Sequence, residues 1–248
     1  MNDAVLWAVA GALTGLIAGS FIATLMIRWP QDRSLGGRSA CDACDRTLSV
    51  RDLAPLLSWA IAAGKCRTCG ARIDWRHPAV ELAAGLIGLV ALIAEPGLGG
   101  IAGALFGWQL LTLAALDFEH FWLPNRLTAL LAVSGLALGL VGVGAPIVDR
   151  IIGGSAGFAA LFAIAWTYRR LRGREGMGGG DPKLLGAIGC WLGWQVLPFV
   201  LLGASAVGMV AALVMLTRGQ SVAADTRLPL GSLMAISAFP VWIFLAQS

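Results

Sequence analysis

Seven stretches of this chain contain no charged side chain, and most are as long as a lipid bilayer is thick. They cover residues 4–27, 82–94, 96–116, 127–148, 151–168, 184–217 and 228–248. About 20 apolar residues in a helix cross the roughly 30 Å of hydrocarbon, where each backbone N–H and C=O must be satisfied without water. The run 184–217, at 34 residues, overshoots a single crossing. Its Gly193-Trp194-Gln195 break and Pro198 divide it into two passes, the first of them short. The fold class expected is all-α polytopic membrane protein, with about eight transmembrane helices. A composition of 58% hydrophobic and 13% charged residues excludes a soluble globular chain.

The basic residues give that count an orientation. Nine of the eighteen Lys and Arg fall between Arg28 and Arg76, after the first span. Arg126 follows the third, Arg169, Arg170, Arg172, Arg174 and Lys183 the fifth, and Arg218 and Arg227 the seventh. Only Arg150, beside Asp149, lies in an even-numbered connection. Basic residues collect in cytoplasmic loops, so the odd loops are read as cytoplasmic and both termini as periplasmic. A re-entrant hairpin over 184–217 gives the same parity. Asp3 stands where a signal peptide would be basic, and the basic cluster comes afterwards, so the first run reads as an anchor. Topology accounts for the net charge of +4, and no nucleic-acid partner is implied.

One polar stretch, residues 28–77, is long enough to fold separately. It carries Cys41-x2-Cys44 and Cys66-x2-Cys69, with 21 residues between Cys44 and Cys66, close to the spacing of four-thiolate zinc sites. So small a polar segment lacks a core, which zinc binding of about 10–16 kcal/mol can replace. Four thiolates close the coordination sphere, so the metal is structural and the insertion zinc-ribbon-like. The alternatives are four unliganded thiols or a redox pair. Cys190, alone in an apolar run, reads as a small buried hydrophobe.

Two aspartates occupy costly positions. Asp117 closes the third span and Asp181 opens the sixth, both on the cytoplasmic side by charge parity. If they meet, they titrate as a coupled pair that can activate water. Asp181 followed by Pro182 also reads as a helix N-cap. Helix dipoles alone would place the shared proton on Asp117 and make Asp181 the base. Gly178-Gly179-Gly180 would let an extended peptide approach and would permit unusual backbone angles, or would serve as a mobile linker. Gly11, Gly15 and Gly19 either pack helices closely or are ordinary membrane-helix glycines. Asn125 reads as the cap of the fourth span, and residues 221–229 as a polar turn. Glu81 is placed to pair with Arg76 or Lys183, while Glu119 and His120 either tune Asp117 or are solvated. Without His-Glu-x-x-His, a zinc protease is unsupported.

These features together resemble the type IV prepilin peptidases. The resemblance runs from Gly19-Ser20-Phe21 through the double Cys-x2-Cys with Gly64-Lys65, Pro78-Ala79-Val80-Glu81 and Asp117 before Pro124-Asn125. It continues through Gly178-Gly179-Gly180-Asp181-Pro182-Lys183, Trp191-Leu192-Gly193-Trp194 and Leu228-Pro229-Leu230-Gly231. It implies an aspartic endopeptidase of the bacterial inner membrane, with Asp117 and Asp181 catalytic and Gly178, Gly180 and Lys183 in the active-site loop. The substrate implied is a type IV prepilin or a type II secretion pseudopilin, cut after the glycine of a basic leader at the cytoplasmic face. Many such proteins also N-methylate the new terminus with S-adenosylmethionine, and the cysteine-bearing loop accompanies that class. Ile22-Ala23-Thr24 stands where many carry an asparagine, which bears on methyl transfer. Pro182 replaces a frequent aromatic, and Leu230 a frequent phenylalanine. The domains expected are a first transmembrane helix over 1–27, a four-cysteine zinc-binding domain over 28–77 and a transmembrane peptidase domain over 78–248. A peptidase without methyl transfer and a non-enzymatic transporter or scaffold are the competing readings.

Overall fold

The computed structural model describes residues 3–41, 43–220 and 228–247. Among them the regular elements are helical: α1 (Asp3–Arg28), α2 (Leu57–Ile61), α3 (Arg76–Ala94), α4 (Leu98–His120) and α5 (Asn125–Leu140). They continue with α6 (Ile147–Arg172), α7 (Asp181–Leu192), α8 (Leu197–Thr217) and α9 (Leu230–Ala246). The helices α1, α3, α4, α6 and α8 are long and apolar enough to cross a membrane, and α5 and α9 are shorter apolar helices. The long run breaks where expected. The helix α7 stops at Leu192, Gly193 adopts φ 82°, and α8 begins at Leu197 with a proline in its first turn. With 12 residues, α7 is only about 18 Å long. The expected turn at 221–229, with Arg227, lies almost wholly outside the described residues.

The chain forms two compact units, the first ending at Trp108 and the second beginning at Gln109. In the first, α1 and α3 pack antiparallel along a line of small residues. A Cβ on Gly11 would overlap the Gly88 carbonyl, one on Gly15 the Ala84 carbonyl, and one on Gly19 would lie 2.6 Å from the Glu81 Cα. The glycines of α1 therefore serve close helix contact. Trp108 Nε1 donates to the Ala84 carbonyl at 2.9 Å. The opposite face of α1, with Leu13, Ile17 and Phe21, is exposed, which suits lipid and would be costly in water.

In the second unit α7 is the centre. Every residue of it except Lys183 is buried, and it packs against α5, α6, α8 and α9. Glycines again set the spacing: Gly153 on α6 abuts the Gly189 carbonyl, and Gly157 abuts that of Leu185. Arg150, the one basic residue that breaks the charge parity, is only 2% exposed. Its guanidinium donates to the carbonyls of Gly135 at 2.5 Å and Ala145 at 2.7 Å, and to that of Val143. It thus ties a carbonyl within α5 to two in the turn that follows.

Candidate functional site

In the first unit the two Cys-x2-Cys segments fold alike. The Cys41 N–H donates to Arg46 O and the Asp45 N–H to Cys41 O, while Cys66 donates to Ala71 O and Gly70 to Cys66 O. An isolated bridge flanks each knuckle, Ala40 with Thr47 and Lys65 with Arg72. Asp45 at φ 52° and Gly70 at φ 71° make the tight reversal that turns both sulfurs inward. All four Sγ atoms lie within 4.8 Å of one another, and Cys41 and Cys69 are 3.9 Å apart. A tetrahedral zinc with bonds of about 2.3 Å separates its sulfurs by about 3.8 Å, so the four thiols fit a metal such as zinc. The N–H groups of Cys69 and Thr68 bring the Cys66 thiol down to about 6. At Cys44 the Arg46 N–H lowers the pKa, but the facing Cys69 thiol, desolvation, Cys41 and Cys66 outweigh it and push it up to about 11. Thiols this close compete for protons, and a dication would take the protons' place.

Asp52 clamps the two knuckles together. It accepts from Arg46 Nη2 at 3.1 Å, in the first knuckle, and lies 3.4 Å from Arg67 Nε in the second. The Ser49 N–H and hydroxyl, followed by Arg46, hold its carboxyl below the usual range. Beside this cluster is a cavity of about 430 Å³ whose lining includes Arg28, Trp59, Arg72, His77 and Glu81. Among the described residues of this unit Glu81 has no ion pair. Its Oε2 accepts the Leu56 N–H at 2.8 Å, while Arg76 turns to Asp74 at 3.1 Å.

The second unit holds both aspartates, each 5% exposed. Asp117 lies in the last turn of α4, which ends as Phe121 adopts φ 50°. Its Oδ2 accepts the Ser232 N–H at 2.7 Å, and the Ser232 hydroxyl lies 3.1 Å from the same oxygen. Asp181 is the first residue of α7, and the N-cap is Gly180. The capping role read for Asp181 is therefore corrected. Its Oδ2 turns back to accept the Gly178 N–H at 3.1 Å, so the carboxylate closes the glycine loop. The dipole argument changes as well. Asp117 sits at the C-terminal end of α4 but faces the N-terminal amides of α9, which act in the opposite sense.

Leu123 packs against Gly180, beside Asp181, and against Gly231, beside the Ser232 that meets Asp117. A Cβ on Gly231 would lie 2.8 Å from both Asp117 Oδ2 and Leu123 Cδ1, and one on Gly180 would lie 2.7 Å from Leu123 Cβ. The two carboxylates act on each other electrostatically, and among the described residues neither has a cationic partner. Gly178, Gly179 and Gly180 do not use the positive φ that glycine permits. A Cβ on Gly180 would clash with Leu123, one on Gly178 would press on Asp181 Oδ2 at 3.3 Å, and the space at Gly179 is open. Lys183 Nζ donates to Asn125 Oδ1 at 2.7 Å. The N-cap of α5 is Pro124, so Asn125 does not cap that helix; it holds the lysine. Glu119 Oε2 and His120 Nε2 lie 3.7 Å apart, both partly exposed. Ser232 went unread because 115 residues separate it from Asp117; the only signal was its place after Leu228-Pro229-Leu230-Gly231.

Two family descriptions match the chain: "Bacterial Peptidase A24 N-terminal domain" over residues 13–94 and "Type IV leader peptidase family" over residues 104–213. Relatives named "Prepilin leader peptidase/N-methyltransferase" resemble it closely. The one from Aeromonas salmonicida (strain A449) is 43% identical over 174 residues, 70% of this chain and 60% of that protein. Its counterpart in Aeromonas hydrophila is 40% identical, covering 84% and 71%, and that in Dickeya chrysanthemi is 37% identical, covering 84% and 82%. The chain thus spans about 60% of the length of the Aeromonas salmonicida relative. No solved structure matches it.

Proposed function

This chain belongs to the type IV leader peptidase family, and from that premise we propose that it is a membrane aspartic peptidase using Asp117 and Asp181. The observation that carries this reading is a pair of carboxylates, each 5% exposed, at the end of α4 and the start of α7, with Leu123 against the nearby glycines Gly231 and Gly180 and no cationic partner among the described residues. Such a pair holds one proton between its members. The ionised aspartate takes a proton from water as the oxygen attacks the scissile carbonyl carbon. The protonated one donates to the carbonyl oxygen, giving a neutral tetrahedral diol. Collapse of the diol breaks the C–N bond, with a proton passed to the departing amine.

The substrate proposed is a prepilin or pseudopilin, whose apolar helix would lie among lipid-facing spans while its basic leader stays in the cytoplasm. The relatives' names support this, and so do the five apolar helices for a multi-pass protein of the inner membrane. The charge parity supports periplasmic termini. Membrane lipids are the other partners, and the Cys41, Cys44, Cys66 and Cys69 cluster would hold zinc structurally. The relatives' names also support N-methylation of the cleaved product. The first unit's cavity falls within the usual size range of a small-molecule site and offers Trp59 for stacking, Glu81 for hydroxyl groups and Arg28 for a carboxylate. S-adenosylmethionine would supply an electrophilic methyl group there. The deciding experiment incubates purified protein with a synthetic prepilin peptide and follows both cleavage and methyl incorporation by mass spectrometry. Cleavage lost in Asp117→Asn and Asp181→Asn supports the reading, and cleavage retained in either overturns it. Cleavage without methyl incorporation would identify a peptidase alone.

A further inference from the structure

We propose that Ser232 is a positioning residue for Asp117, fixing from the first turn of α9 which carboxylate oxygen faces the reaction. The proposal rests on the reading of Asp117 as a catalytic carboxylate. The helix α9 begins after Pro229 with no side-chain cap, so the first N–H groups have no intrahelical acceptor. The Ser232 amide is one of these, and it is given to Asp117 Oδ2 at 2.7 Å. Asp117, 115 residues earlier in the chain, thus caps α9.

The side chain adds a second constraint. Ser232 is 2% exposed, and its hydroxyl lies 2.8 Å from Ala114 O and 3.1 Å from Asp117 Oδ2. Ala114 and Asp117 are three residues apart and lie on one face of α4, so a single hydroxyl spans both. Gly231 makes the approach possible, because a Cβ there would come within 2.8 Å of Oδ2. The Ser232 N–H on Oδ2, the Gly231 N–H, and the Ser232 hydroxyl, whose one proton is shared between Ala114 O and Oδ2, hold Asp117 in one rotamer, and proton exchange with water falls to Oδ1. A carboxylate free to rotate would spend part of its time misaimed, which lowers turnover without weakening substrate binding.

The test uses the purified full chain with a prepilin-derived peptide and compares Ser232→Ala, Ser232→Thr and Asp117→Asn. Ser232→Ala keeps the N–H and loses the hydroxyl. The expected result is a roughly tenfold lower kcat with KM within about twofold of wild type, with Ser232→Thr restoring most of the kcat. Ser232→Ala with wild-type kcat would overturn the proposal. So would a loss shared equally by KM, a loss that threonine leaves unrestored, or an alanine variant that fails to fold, since each assigns the serine to packing alone. Cleavage by Asp117→Asn would instead overturn the underlying reading of the dyad, so the two failures are distinguishable.

Discussion

Replacing Asp117 with asparagine removes an ionisable group while changing the shape of the side chain little. The asparagine carbonyl can still accept the Ser232 N–H, and at Asp181 it can still accept from Gly178. Neither aspartate has a cationic partner among the described residues, so neither substitution strands a buried positive charge. Each variant should therefore fold and melt at the wild-type temperature or slightly above, because two neighbouring acids become one. Activity should respond differently. Positioned acid–base groups contribute about 10²–10⁴ in rate, or about 2.7–5.5 kcal/mol of barrier, and each single change leaves one aspartate with no complementary partner. Groups that act as a unit are strongly non-additive, so the double variant should be no slower than either single one. The assay is peptide cleavage followed by mass spectrometry, with thermal melting in the same detergent. More than about a tenth of wild-type cleavage in either single variant would refute the reasoning. Losses that multiply in the double variant would refute it as well.

Three further outcomes follow from the geometry. Cys44→Ser should reduce bound zinc from about one per chain to a small fraction and open residues 28–77 to protease, measured by metal analysis and limited proteolysis. Gly180→Ala should impair cleavage, because its Cβ would come 2.7 Å from Leu123 Cβ, while Gly179→Ala, with open space, should be near neutral; equal effects would remove the steric account of the loop. Gly15→Ala should cost about 1–3 kcal/mol in detergent unfolding, since its Cβ meets the α3 backbone, which cannot yield cheaply.

The helices were legible in the sequence because the bilayer forces backbone satisfaction into each apolar run, so run boundaries nearly coincide with helix boundaries. Gly193 and Pro198 marked the division between α7 and α8 for an equally local reason: the glycine ends α7 at positive φ and the proline suits the first turn of α8. The knuckles were equally legible, since cysteine spacing encodes their geometry. What failed depended on partners distant in the chain. Asp181 and Asn125 looked like helix caps, a local role, but Asp181 closes a glycine loop and Asn125 holds Lys183, 58 residues away. None of the three loop glycines takes the positive φ that glycine permits, and Gly180 instead leaves room for Leu123, a partner 57 residues earlier in the chain. The short α2 has five residues, too few for any periodicity to show.

Arg150 connects the charge pattern to the packing. Counted as a surface charge, it contradicts the sidedness that the other seventeen basic residues share. In the fold it is buried, with its donors directed to backbone carbonyls around the end of α5. The positive-inside bias concerns charges that must stay in water on one side during insertion. A buried guanidinium that donates to backbone carbonyls is instead part of the packing between α5, α6 and the turn that joins them. The exception thus has a structural cause of its own, and the sidedness expected from the remaining residues does not depend on it. That sidedness would bring the end of α4 and the start of α7, and with them both carboxylates, to the face where a basic leader would be retained.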